Sequence, residues 1–128
     1  MKKKWIWGVI LVVVLLIFLF LRGDEDTWVM NEKGEFVPHG VPAEMPEYVS
    51  KQKEVLACAF DLYNQAEYDG FKFSSQCLGI CQDYAVDIVN VPRTEEDNLP
   101  KNQCADYLEK KVNNFVELDK DGVLVRIG

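Results

Sequence analysis

Hydrophobic and polar positions follow several distinct patterns along the chain. From Trp5 to Leu21, "WIWGVILVVVLLIFLFL", no residue is charged or strongly polar, so a helix here would be apolar all round. At about 1.5 Å per residue it would span roughly 26 Å, a little short of a hydrocarbon core about 30 Å thick. Trp5 and Trp7 suit the interfacial aromatic belt, and Lys2, Lys3 and Lys4 can extend their ammonium groups into the headgroups, which closes the gap.

The next stretch, "TWVMNEKGEFVPHGVPAEMP", sets two short apolar runs around "NEKG" and then prevents regular structure with Pro38, Gly40, Pro42 and Pro46. Trp28 to Met30 and Glu35 to Val37 read as a small hairpin, followed by a strap. From Pro46 the period becomes helical, with Val55, Cys58, Ala59, Leu62, Tyr63 and Ala66 at three- and four-residue steps, and Asp69-Gly70 ends the helix.

A second helix is predicted on Cys77, Ile80, Cys81, Tyr84, Ala85 and Ile88, a continuous helical stripe opened by Ser74 or Ser75 and stopped by Pro92. After the acidic loop "VPRTEEDNLP", Pro100 opens a third, carrying Cys104, Tyr107, Leu108, Val112 and Phe115. The chain closes with "FVELDKDGVLVRIG". A two-residue Asp121-Gly122 turn would place Leu118 opposite Val125, Val116 opposite Ile127 and Glu117 opposite Arg126, and it ranks ahead of a three-residue turn that would mix the faces.

The expected class is therefore α+β, mainly α: a transmembrane helix, then a small three-helix domain with a C-terminal β-hairpin. Its expected parts are a basic cytoplasmic tail (1–4), a membrane anchor (5–21), an extracytoplasmic strap with a short hairpin (22–46) and the helical domain (47–128). The strap, over about residues 27–46, resembles a segment of short, uncharacterised membrane-anchored or secreted microbial proteins. The resemblance rests on the aromatic pair around a Gly turn and on His39-Gly40-x-Pro42-x-x-x-Pro46. Many of those proteins carry a cysteine before the turn and another after the last proline, and neither is present here. The resemblance implies an extracytoplasmic surface protein and no activity.

The exit from the apolar run, "FLFLRGDED", puts bulky residues where signal peptidase needs small ones, which favours a retained anchor over a cleaved leader. The three lysines outweigh Arg22, which acids follow at once, so the amino terminus is expected in the cytoplasm and the rest outside the cell membrane. Without those three lysines the chain keeps 11 basic against 21 acidic residues, a net charge of −10. Such a surface repels nucleic acid and anionic headgroups. The expected partners are the bilayer, through the first helix, and a protein on the outer side; any ionic partner would be cationic.

The four cysteines are the chain's clearest candidate chemistry. On a helix, Cys77 and Cys81 would hold their Cβ atoms about 6 Å apart, beyond the roughly 3.5–4.5 Å of a disulfide. Each should then pair with a neighbouring element, through either 58–77 with 81–104 or 58–81 with 77–104, and sequence leaves both open. The even count suits an oxidising compartment.

A redox pair of Cys77 and Cys81 lacks CxxC spacing, and zinc on Cys77, Cys81, Cys104 and either Cys58 or His39 lacks a paired knuckle. His39 reads as a loop histidine. Asp83 and Asp87, one helical turn apart, and the acids of "TEEDN" read as solvated surface rather than a calcium loop, and Tyr63, Tyr84 and Tyr107 as core. The expected function is a non-enzymatic, membrane-anchored extracytoplasmic binding or assembly domain with no catalytic residue, cofactor or metal. The alternatives are a tethered thiol-disulfide oxidoreductase using Cys77 and Cys81, or a cysteine-based metal-binding surface protein.

Overall fold

A computed structural model describes residues 2–21 and 26–128. The predicted anchor flank Arg22 lies outside the described residues, as do residue 1 of the basic tail and residues 23–25. By its internal contacts the chain divides into two units, residues 1–29 with 37–44, and residues 30–36 with 45–128.

The first unit holds α1 (Lys2–Leu21), which is long and apolar enough to cross a membrane. Lys2, Lys3 and Lys4 form its first turn, and Trp5 and Trp7 are exposed. Strands β1 (Thr27–Met30) and β2 (Phe36–His39) make a two-stranded sheet. Within this unit the Trp28 indole N–H donates to the Glu44 carbonyl (2.9 Å), and Asp26 accepts from the Val41 N–H (3.1 Å).

The second unit is one long helix on a four-stranded sheet. Helix α2 (Glu47–Tyr68) starts just after Pro46, whose carbonyl accepts from Val49 and Ser50. It ends as Asp69-Gly70 implies: Gly70, at φ +76°, lets its own N–H and that of Phe71 fold back onto Glu67 and Ala66. The sheet runs β3 (Gln76–Cys81), β4 (Tyr84–Ile88), β5 (Asn114–Leu118) and β6 (Leu124–Ile127) in spatial order, antiparallel at both outer pairs and parallel at the central one. Val55, Leu56, Ala59 and Tyr63 of α2 pack with Cys81, Val86, Ile88, Val116, Leu118, Leu124 and Ile127 in the main core. The turn between β1 and β2 belongs to this unit. Gln52 on α2 donates to Gly34 O and accepts from Phe36 N–H, and Ile127 N–H donates to Lys33 O.

Three expectations are overturned. The domain is not a three-helix unit: the predicted second helix is the β3–β4 hairpin. Apolar residues stand on both faces of that hairpin, Cys81, Val86 and Ile88 towards α2 and Ala85 on the other side, so they form a near-continuous run that imitates a helical stripe. Its two-residue turn holds Gln82 at φ +54° with no glycine or asparagine to announce it. Val86, Ile88 and Val89 favour strand, and Gly79 inside a helix would cost about 1 kcal/mol.

The predicted third helix is a crossover from β4 to β5 built from two 3₁₀ turns (Glu95–Asn98, Pro100–Asn102) and a single helical turn, α3 (Ala105–Leu108). Lys110 at φ +60° closes α3 as a glycine would, its N–H bonded to Tyr107 O and that of Lys111 to Asp106 O. A parallel β4–β5 pair requires such a long connection.

The last two strands do pair, but as half of the larger sheet rather than as a separate finishing hairpin. Val116 faces Ile127 and Glu117 faces Arg126, whereas Leu118 faces Leu124 instead of Val125. The turn is the three-residue one, with Asp119 and Val123 paired and Gly122 at φ +77°. A shift in register at Val125 then restores the alternation, so Leu118 and Leu124 both reach the core.

Candidate functional site: the sheet face opposite the long helix

Residues 76 and 77 pair with 88 and 87, but 79, 80 and 81 pair with 86, 85 and 84, so Leu78 is an extra residue in β3. Four residues along a regular strand lead back to the same face. The bulge breaks that rule and sends Cys77 and Cys81 to opposite faces. Gly79 carries the distortion at φ +154°, with Leu62 packed where a side chain would begin.

Cys81 turns into the core and bonds Cys58 of α2 (S–S 2.01 Å, Cα–Cα 6.0 Å). Cys77 turns the other way and bonds Cys104 at the foot of α3 (S–S 2.01 Å, Cα–Cα 4.8 Å). Of the two pairings the sequence left open, the structure has 58–81 with 77–104. No described cysteine is free.

On this second face Asp87 of β4 lies directly beside Glu117 of β5 in the parallel register. Glu117 is almost fully buried and receives two guanidinium groups, Arg93 Nη1 at 2.7 Å and Arg126 Nη2 at 2.8 Å. Arg126 also lies over the Phe115 ring, 4.7 Å from its centroid, and Tyr107 meets that ring edge-on. These residues, with Asp97, border a cavity of about 220 Å3.

Asp97 lines the same cavity. Burial works against its charge, but the N–H groups of Thr94 and Asn90, the Ser75 hydroxyl and the Arg93 guanidinium outweigh burial and hold its carboxyl below the usual range. Asp87 goes the other way. Burial first and the Glu117 charge second push it up to about 6, against the weaker pull of the Cys104 N–H and of Arg93. Its Oδ1 lies 3.2 Å from Cys104 Sγ.

Several sequence-stated candidates therefore change place. Asp83 and Asp87 are not on one helix face: Asp83 lies in the β3–β4 turn and accepts from Asn114 (2.8 Å), while Asp87 is half-buried. Within "TEEDN" only Asp97 is buried, and it caps its own 3₁₀ turn. Tyr63 is in the core with its hydroxyl on Lys120 O, Tyr84 packs against the core, and Tyr107 packs beside Ala85 and Cys104. His39 ends β2, exposed.

Cys77 and Cys81, the expected redox pair, do not bond each other in this structure but Cys104 and Cys58 respectively. The proposed zinc set cannot converge, because Cys77 and Cys81 face opposite sides of the sheet. Cys77, Cys104 and Asp87 do cluster, with ligand atoms within 4.8 Å of one another, but the two sulfurs bond each other and are no thiolate ligands in this state.

Arg93, Asp97 and the Asp87–Glu117 pair were not picked out as a site from sequence. The one available signal was Glu117 inside the apolar run "FVEL", an acid at a position that strand alternation pairs with Arg126. Comparison finds no protein family, no curated protein and no solved structure to which the chain is significantly similar.

Proposed function

We propose that the chain is a membrane-anchored, extracytoplasmic binding module that takes a basic group of a protein partner into the cavity over Asp87 and Glu117. The observation that carries this reading is the pair of adjacent carboxylates on the cavity floor. Three acids, Asp87, Glu117 and Asp97, face two cations, Arg93 and Arg126, so the site keeps an excess of negative charge. The Glu117 charge makes ionisation of Asp87 harder, and an incoming ammonium or guanidinium group would relieve that repulsion. The surrounding acidic surface, net −10 beyond the leader lysines, would steer such a group inward.

The anchor is supported by α1, apolar along its length with three lysines at its start. The cytoplasmic placement of its amino terminus follows from that charge asymmetry. The extracytoplasmic placement of the domain is supported by the two disulfides, since cytosolic thiols are kept reduced.

The test is amide chemical-shift mapping of the full chain in micelles with a lysine-containing tetrapeptide and its Nε-acetylated counterpart. The charged peptide should shift residues around Asp87 and Glu117, and its affinity should fall at least threefold from pH 7.5 to pH 5, as Asp87 takes up a proton. Equal effects of the two peptides, or shifts confined to other surfaces, would overturn the reading.

A further inference from the structure

The two disulfides differ in their surroundings. In Cys58–Cys81 one sulfur-bearing residue, Cys81, is buried in the main core and the other, Cys58, is partly buried against it. In Cys77–Cys104 the two residues are unlike each other: Cys77 is exposed on the edge strand β3, whereas Cys104 is 1% exposed. Asp87 Oδ1 lies 3.2 Å from the sulfur of the buried residue, Cys104, and Asp87 also borders the cavity and so has a path to solvent. Thiol-disulfide exchange needs an accessible sulfur to attack and a leaving sulfur whose charge can be quenched.

We propose that Cys77–Cys104 is a thiol-disulfide exchange site for a protein dithiol, with Cys77 Sγ as the atom attacked, Cys104 as the leaving thiolate and Asp87 as the group that gives and takes its proton. A thiolate of the dithiol attacks Cys77 Sγ. A bond forms between the two, the Cys77–Cys104 bond breaks, and the electron pair leaves on Cys104 Sγ. Asp87 in its acid form protonates that buried sulfur.

The second thiolate of the partner then attacks the partner's own sulfur in the mixed disulfide. This closes the partner's disulfide and releases Cys77 as a thiolate, which takes a proton from water. Two electrons and two protons pass from the dithiol to the Cys77/Cys104 pair, and the partner is oxidised. In the reverse direction the Asp87 carboxylate accepts the Cys104 proton as that sulfur attacks.

The groups around Asp87 suit both directions. Glu117 on β5 disfavours its charge. Arg93 from the crossover and the Cys104 N–H favour it, and Asp97, Tyr107 and Arg126 complete the rim. The balance leaves the carboxyl near 6, within reach of both protonation states close to neutral pH. Reduction would also release the tie between β3 and the foot of α3. The inference does not depend on what the cavity binds.

The experiment treats the full-length chain in detergent micelles with dithiothreitol, quenches with iodoacetamide and reads each cysteine by peptide mass. Cys77 and Cys104 should become alkylated at least 100-fold faster than Cys58 and Cys81, and glutathione should be trapped on Cys77 rather than Cys104. Asp87→Asn should slow opening at least tenfold at pH 6 while leaving the Cys58–Cys81 rate unchanged. Should that variant fail to fold, the wild-type rate, corrected for the reagent's thiolate fraction, should still inflect near pH 6. Equal opening of the two bridges, adducts on Cys104, or a rate indifferent to both Asp87 and that pH range would overturn the proposal.

Discussion

The two faces of the four-stranded sheet are built on opposite principles. Towards α2 the strands present Val86, Ile88, Val116, Leu118, Leu124 and Ile127, and Ile88, Val86, Val116 and Leu118 are wholly buried. On the other face the same strands present Asp87, Glu117 and Arg126, covered by a crossover with little regular helix. The first face gains its stability from burial without direction, the second from charges whose partners are fixed in number and geometry. Among the described residues no buried side-chain polar atom lacks a partner, so the polar face is built and not merely wet. The lesson is that one sheet separates structural work from chemical work by strand alternation, corrected by a bulge at Leu78 and a register shift at Val125.

Core truncation should separate the faces most. Ile88→Ala, at a position with no exposure, should cost about 2–5 kcal/mol in urea unfolding. Phe115→Ala on the opposite face, where the ring is only half-buried, should cost about 1–2 kcal/mol. Equal losses would mean that the polar face carries as much of the fold as the core does.

The disulfides sharpen the comparison next. They join residues 23 and 27 positions apart, so the chain-entropy model assigns each about 3.5 kcal/mol. Each double variant empties one buried cysteine site, Cys81 or Cys104, but Cys58 is partly buried where Cys77 is exposed, so Cys58→Ala with Cys81→Ala should lose about 1 kcal/mol more than Cys77→Ala with Cys104→Ala. The unfolding midpoints of the two variants measure the difference.

A third comparison concerns charge. Because Asp87 has its folded pKa raised from about 3.8 to about 6, the folded state binds the extra proton between those values, and stability falls as pH rises through that window. Asp87→Asn should flatten this part of the pH–stability profile and raise stability at pH 8 by on the order of 2 kcal/mol. Asp97 has the opposite sign, its contribution being present at neutral pH and lost as acid protonates it. A variant at Asp87 that is less stable at pH 8 would show that the Asp87 charge is compensated better than its neighbours imply.

Parts of this arrangement were legible from residues alone. The apolar run of α1 and the α2 stripe with its Asp69-Gly70 stop follow from period and capping, because both signals are local. So does the conclusion that Cys77 and Cys81 do not bond each other. That conclusion held for a different reason than the helical one: a bulged strand, not a helix, keeps their sulfurs apart. The β3–β4 hairpin was illegible because apolar residues stand on both of its faces and its turn lacks a glycine. The crossover was illegible because its short turns are fixed by contacts with the sheet more than by their own propensities.

What the sequence by itself determined is therefore short-range: an apolar leader, one amphipathic helix, the Glu117–Arg126 pairing, an acidic surface and an even set of cysteines. Only the tertiary structure decided which cysteines meet and that Asp87, Glu117, Arg93 and Cys104 share one site. The reason is physical. A single extra residue at Leu78 inverts the face of everything after it in β3, and the parallel pairing of β4 with β5 joins carboxylates thirty positions apart, and neither event leaves a local trace in the order of residues.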